Sequence, residues 1–98
     1  MIIVPLETFP FQAERYFQSE ESQSRLLAEA LEEGDTRWLI HAIGIVARAR
    51  GMGEIARQTG LSRQTLYAAF GPKGNPTIGT VMKVLSCLGL SLTLKEAA

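Results

Sequence analysis

One stretch of nineteen residues limits this chain more than any other part of it: Met52-Gly53-Glu54-Ile55-Ala56-Arg57-Gln58-Thr59-Gly60-Leu61-Ser62-Arg63-Gln64-Thr65-Leu66-Tyr67-Ala68-Ala69-Phe70. Its pattern predicts two short helices, roughly Gly53 to Thr59 and Ser62 to Phe70, on either side of a tight turn. Neither is long enough to be stable alone, so the two must cross and share a core. A steep crossing needs a small residue at the closest approach, and Ala56 stands there. The turn needs a positive φ, which Gly60 adopts without steric cost. Ile55, Leu61, Leu66 and Ala69 fall where a shared core needs apolar groups. Ser62 is placed to cap the second helix and leave its first turn exposed. Apart from the cap, six positions agree in type and spacing, which fits a helix-turn-helix; a plain packed helical hairpin is the competing reading.

The rest of the chain is patterned to surround that unit. Phe11 to Phe17 reads as a short first helix. Ser19 is an N-cap, followed by Glu20 and Glu21 at the positive end of a helix dipole. That helix runs through Leu26, Leu27, Ala30 and Leu31 to a left-handed cap at Gly34. Asp35 caps the next, whose buried stripe is read as Leu39, Ala42, Ile43, Val46 and Ala49, ending at Gly51. Gly44 inside it costs ~1 kcal/mol against Ala, which a close helix crossing or simple tolerance would each explain. The breakers of Gly71-Pro72-Lys73-Gly74-Asn75-Pro76 mark a loop. A last helix, capped by Asn75 or Thr77, turns Val81, Val84, Leu85 and Leu88 inward and stops at Gly89. Leu90-Ser91-Leu92-Thr93-Leu94-Lys95 alternates with period two and predicts a strand. Its partner would be the apolar segment Ile2 to Leu6 or the same strand of a second copy. The expected architecture is all-α, about five helices with an N-terminal arm and a short C-terminal strand. The expected divisions are an acidic arm and helix over 1–35, a helix-turn-helix domain over 36–90 and a tail over 91–98.

Ninety-eight residues are enough for one modest core. No apolar run approaches the ~18 residues of a membrane span. The apolar opening lacks a basic flank and meets Glu7 and Pro10, so it does not read as a signal peptide. A single cysteine, Cys87, fits a reducing, cytoplasmic setting. The formal charge is zero, but it conceals two opposite halves. Residues 1–35 hold eight acids and two bases, and residues 36–83 hold seven bases and one acid. That asymmetry suggests a basic partner for one half and nucleic acid for the other. Two solvated faces attracting each other within one domain would give the same count.

In a helix-turn-helix the second helix enters the major groove with its N-terminal residues on base edges. Arg63, Gln64 and Tyr67 are then the readers. Arg63 suits guanine and Gln64 suits adenine, each pair worth ~1–3 kcal/mol of discrimination. Thr65 and Ala68 are placed for thymine methyls, and Ser62, Lys73, Asn75 and Thr77 for phosphates. The plainer readings are an exposed helix arginine at 63 and a half-buried core ring at Tyr67. One helix-turn-helix makes few base contacts, so a homodimer on a double-stranded inverted-repeat operator is expected.

In combination, several of these motifs resemble the addiction-module antidote proteins, a branch of the lambda-repressor-like helix-turn-helix proteins. The resemblance covers about Phe11 to Leu94. It rests on Ala30-Leu31-Glu32-Glu33-Gly34-Asp35, Ala47-Arg48-Ala49-Arg50-Gly51-Met52, Thr59-Gly60-Leu61-Ser62-Arg63 and Leu66-Tyr67. Beyond the loop it continues in Gly74-Asn75-Pro76, Thr80-Val81, Lys83-Val84-Leu85 and Leu88-Gly89-Leu90. It implies an antitoxin that binds a small basic RelE/ParE-like toxin and represses its own promoter. Two positions depart from the family pattern: Gly53 stands where a capping Ser is usual, and Gln64 where an acid is common.

Other candidates for chemistry are weak. His41 has no apparent second ligand, and Cys87 sits among leucines as a small hydrophobe would. Glu32, Glu33 and Asp35 look like a solvated helix end. Gly71-Pro72-Lys73-Gly74 lacks the ending of a phosphate loop. No enzyme, metal or cofactor is therefore expected, and no membrane partner. Trp38 reads as core. Phe9, Phe11, Tyr16 and Phe17 crowd the acidic arm, either as an amphipathic segment for a basic partner's groove or as a cover for the core. The competing functions are a stand-alone prophage-type repressor without a toxin and an interaction module that no longer binds DNA.

Overall fold

Among the described residues, four side-chain caps and four glycines with positive φ mark off the elements. The computed structural model describes residues 19–94 and 96. It is all-helical there: α1 Glu20–Glu33, α2 Thr36–Arg50, α3 Met52–Thr59, α4 Arg63–Ala69 and α5 Ile78–Cys87. The helix expected over Phe11 to Phe17, the apolar Ile2 to Leu6 and the aromatics of the arm lie outside the described residues.

Each predicted cap is a hydrogen bond. Ser19 Oγ accepts from Ser22 N–H at 3.1 Å, Asp35 Oδ1 from Trp38 N–H at 3.1 Å, Ser62 Oγ from Thr65 N–H at 2.9 Å and Thr77 Oγ1 from Thr80 N–H at 3.1 Å. Each satisfies an N–H that the first helical turn leaves without an intrahelical acceptor. α3 differs. Its N-cap is Gly51, which makes no side-chain bond, so Gly53 lies inside the helix and not at its cap. Gly51 also ends α2, and a φ of 109° suits only glycine at this shared corner. α5 closes as the sequence indicates. Leu90 N–H reaches Leu85 C=O at 2.9 Å and Gly89 N–H reaches Ser86 C=O at 3.0 Å, a Schellman ending.

α2 is the central helix. The sequence predicts a single buried stripe for it, yet every residue from Ala42 to Val46, and Ala47 after them, is buried. A helix with neighbours around most of its girth is apolar around most of its girth. α1 and α3 pack on α2, and α3 packs on both α4 and α5. Leu26, Leu27 and Ala30 from α1 share one core with Ile43, Val46, Ile55, Leu66, Phe70, Val84 and Leu88. Gly44 belongs to a close approach: a Cβ there would lie 3.0 Å from Phe70 O and 3.2 Å from Phe70 Cβ.

A polar tie crosses this core. Gln23 of α1 is buried, and Arg50 Nε donates to its Oε1 at 2.6 Å. Arg50 also reaches the Leu88 carbonyl at 3.5 Å, so one guanidinium links α1, α2 and the end of α5.

The strand expected over Leu90 to Lys95 is corrected. Ser91 to Leu94 carry no regular structure, and among the described residues there is no strand. Period-two alternation makes a strand only where a second edge accepts its N–H groups. No described segment offers one, and Leu94 is fully exposed.

Candidate nucleic-acid interface

The turn between α3 and α4 is built from local chemistry. Gly60 takes φ 79°, and its N–H donates to Ala56 C=O at 2.9 Å. Thr59 Oγ1 donates to Ile55 C=O at 2.8 Å and accepts from Leu61 N–H at 3.2 Å, which turns the chain toward Ser62. Leu61, Ala56 and Ala69 pack against the core as partly buried residues. Leu66 is completely buried on α4, and Phe70 just beyond it nearly so. Pinning those two positions inward fixes which face of this two-turn helix remains outside.

That outer face carries Arg63, Gln64, Thr65, Tyr67 and Ala68, all exposed. Tyr67 is 45% exposed, so about half of it is open to solvent. Lys73 comes from the following loop and lines one surface depression together with Tyr67, Ala68, Gly71 and Pro72. The structure thus brings Lys73 beside α4. Asn75 and Thr77 are exposed farther along the same connection. The hydroxyls of Ser62 and Thr77 are engaged: each accepts a capping N–H and lies within hydrogen-bond distance of a second hydroxyl, Thr65 at 2.7 Å and Thr80 at 3.1 Å.

Residues 36–83 hold seven bases and one acid. That acid, Glu54 on α3, is held by Arg57 and by Gln58 Nε2 at 3.0 Å. The hydrogen bond from Arg57, then that from Gln58, holds its carboxyl below the usual carboxylate value of 4.5. Glu54 is thus an ionised carboxylate whose charge Arg57 compensates within α3.

Two contributors to this surface escape sequence reasoning. Arg37 donates from Nη1 to the Pro72 carbonyl at 2.6 Å and from Nη2 to the Gly74 carbonyl. A signal for it exists: a cation in the first turn of a helix opposes the dipole and needs another partner. Gly74 is buried, and a Cβ on it would collide with the carbonyl oxygens of Ala69 and Ala68. Nothing in the local sequence reveals that approach. The other singled-out residues fall elsewhere: the Trp38 and His41 rings lie 5.9 Å apart on α2, and Cys87 is partly buried against the core. Among the described residues no helix is long and apolar enough to cross a membrane.

Comparison with known proteins adds a family. A family model described as "Probable addiction module antidote protein" matches residues 7–96. An uncharacterised protein of Haemophilus influenzae is 40% identical over 87 residues, covering 89% of this chain and 90% of that protein. No solved structure matches.

Proposed function

The chain belongs to the family of probable addiction module antidote proteins, and on that premise we propose that it is the antitoxin of a toxin–antitoxin pair which also represses its own operon. In this reading it is a cytoplasmic homodimer built on a lambda-repressor-like helix-turn-helix, and its toxin is a small basic protein of RelE/ParE-like type. The family match carries the antitoxin part. The operator part is supported by α4, whose buried Leu66 leaves Arg63, Gln64 and Tyr67 exposed beside Lys73. α4 would read base edges in the major groove, and Lys73, Asn75 and the backbone near Ser62 and Thr77 would meet phosphates. The acidic side chains of Glu20 and Glu21 on α1 are 88% and 85% exposed, which suits a basic partner. Ile78 and Met82 stand one turn apart on α5, 66% and 54% exposed, and are the surface we assign to the second copy.

Co-expression with the product of the adjacent reading frame tests the antitoxin part. A small basic protein that co-purifies, and arrests growth when made without this chain, is the expected result. A neighbour that neither binds nor arrests growth would leave a stand-alone repressor.

A further inference from the structure

Arg37 is tied to the proposed DNA face without belonging to α4 or to its turn. Its guanidinium leaves the start of α2 and donates to the carbonyls of Pro72 and Gly74. Those two carbonyls bracket Lys73 and Gly74. A planar fork at both ends of this short segment fixes its backbone path more narrowly than a single bond would. The loop is restrained from within as well: Gly74 N–H donates to Gly71 C=O at 3.0 Å. From the other side, the backbone of Ala68 and Ala69 leaves no room for so much as a Cβ on Gly74. Lys73 thus projects from a segment pinned between α2 and α4, and it shares a depression with Tyr67. There is an electrostatic effect too. Bare carbonyl oxygens repel an approaching phosphate, and the guanidinium covers those of Pro72 and Gly74.

We propose that Arg37 is a positioning residue of the DNA face: it touches no DNA, and it holds Lys73 and Asn75 in register with α4 so that both meet the phosphate backbone. This rests on the operator-binding reading above. Its signature is coupling between Arg37 and Lys73, which neither a general stabilising role nor a long-range charge would produce.

The test is a double-mutant cycle in salt. The full chain, Arg37→Gln, Lys73→Ala and the double variant are titrated with duplex DNA from upstream of its own gene between 50 and 200 mM salt. Losing one phosphate contact flattens the slope of log K against log salt by about 0.9, roughly 3.5-fold less weakening over that range. Each single variant should lose at least that much slope, and the double variant no more than Arg37→Gln alone. Arg37→Lys keeps the charge but loses the fork, so its slope should fall as well; this variant also serves should Arg37→Gln not fold by circular dichroism. Additive losses in the cycle, or a wild-type slope in Arg37→Lys, would overturn the positioning role while leaving operator binding intact. A wild-type chain without steep salt dependence on its own upstream DNA would overturn the operator reading, and this inference with it.

Discussion

Gly74→Ala is the change whose cost can be worked most directly from the structure. The new methyl would press on the carbonyl oxygens of Ala69 and Ala68 and on the Ala69 carbonyl carbon, all of them backbone at the end of α4. No flexible side chain can swing away. The loop cannot retreat either without stretching the bond from Arg37 to the Gly74 carbonyl. Forced overpacking costs about 1–3 kcal/mol. Loss of a hydrogen bond to a charged donor adds about 1.5–3 kcal/mol. The lower backbone entropy of alanine in the unfolded chain returns about 0.4–1 kcal/mol. The net loss is about 1.5–5.5 kcal/mol, a large part of the roughly 5–15 kcal/mol that stabilises a small domain. Urea unfolding followed by circular dichroism measures it, and the thermal midpoint should drop by roughly 10 °C or more. Gly53→Ala is the internal control. It lies in α3 with open space where its new methyl would point, so it should gain up to about 1 kcal/mol. A Gly74→Ala protein within about 0.5 kcal/mol of wild type would refute the close approach between the loop and α4.

Other expectations concern charge and assembly. Because the folded-state pKa of Glu54 is depressed, its contribution to stability is present above about pH 4.5 and is lost as pH falls through the lower folded value. Arg57→Ala should move the Glu54 carboxyl titration, followed by NMR, upward toward 4.5; an unmoved titration would show that Arg57 does not hold it. Ile78→Glu combined with Met82→Glu should convert the proposed dimer to a folded monomer in sedimentation; unchanged mass would place the self-contact elsewhere.

The parts of this fold that are legible in the sequence are those fixed by neighbours in the chain. Ser19, Asp35, Ser62 and Thr77 cap their helices because a short polar side chain reaches an N–H three residues on. Gly60 marks its turn because a left-handed residue is required there. What stays hidden depends on distant partners. Arg37 meets its carbonyls 35 and 37 residues away, and Arg50 meets Gln23 across 27. In sequence Gly44 fits tolerance as well as a close helix crossing; the Phe70 backbone against it, just past α4, shows a close approach. The family pattern points to a cap at Gly53, whereas Gly51 serves two helices at once. The tail misleads for a related reason: Leu90 to Leu94 have the alternation of a strand, but alternation specifies a face and not a partner. For the site, the choice of α4 residues is legible because Leu66 and Phe70 dictate which face is buried. The loop's attachment to that face is not, since it depends on Arg37 and on the backbone contact at Gly74.

Whether α4 reads DNA is decided by measuring how one side chain sets base preference. Wild type and Arg63→Ala are titrated against duplexes from upstream of the gene, with each base pair replaced in turn at one salt concentration. Arg63→Ala should abolish discrimination at one position of each half-site, a loss of about 1–3 kcal/mol or roughly 5- to 150-fold, and leave the other positions as they were. An identical preference at every position in the two proteins would remove Arg63 from the readout.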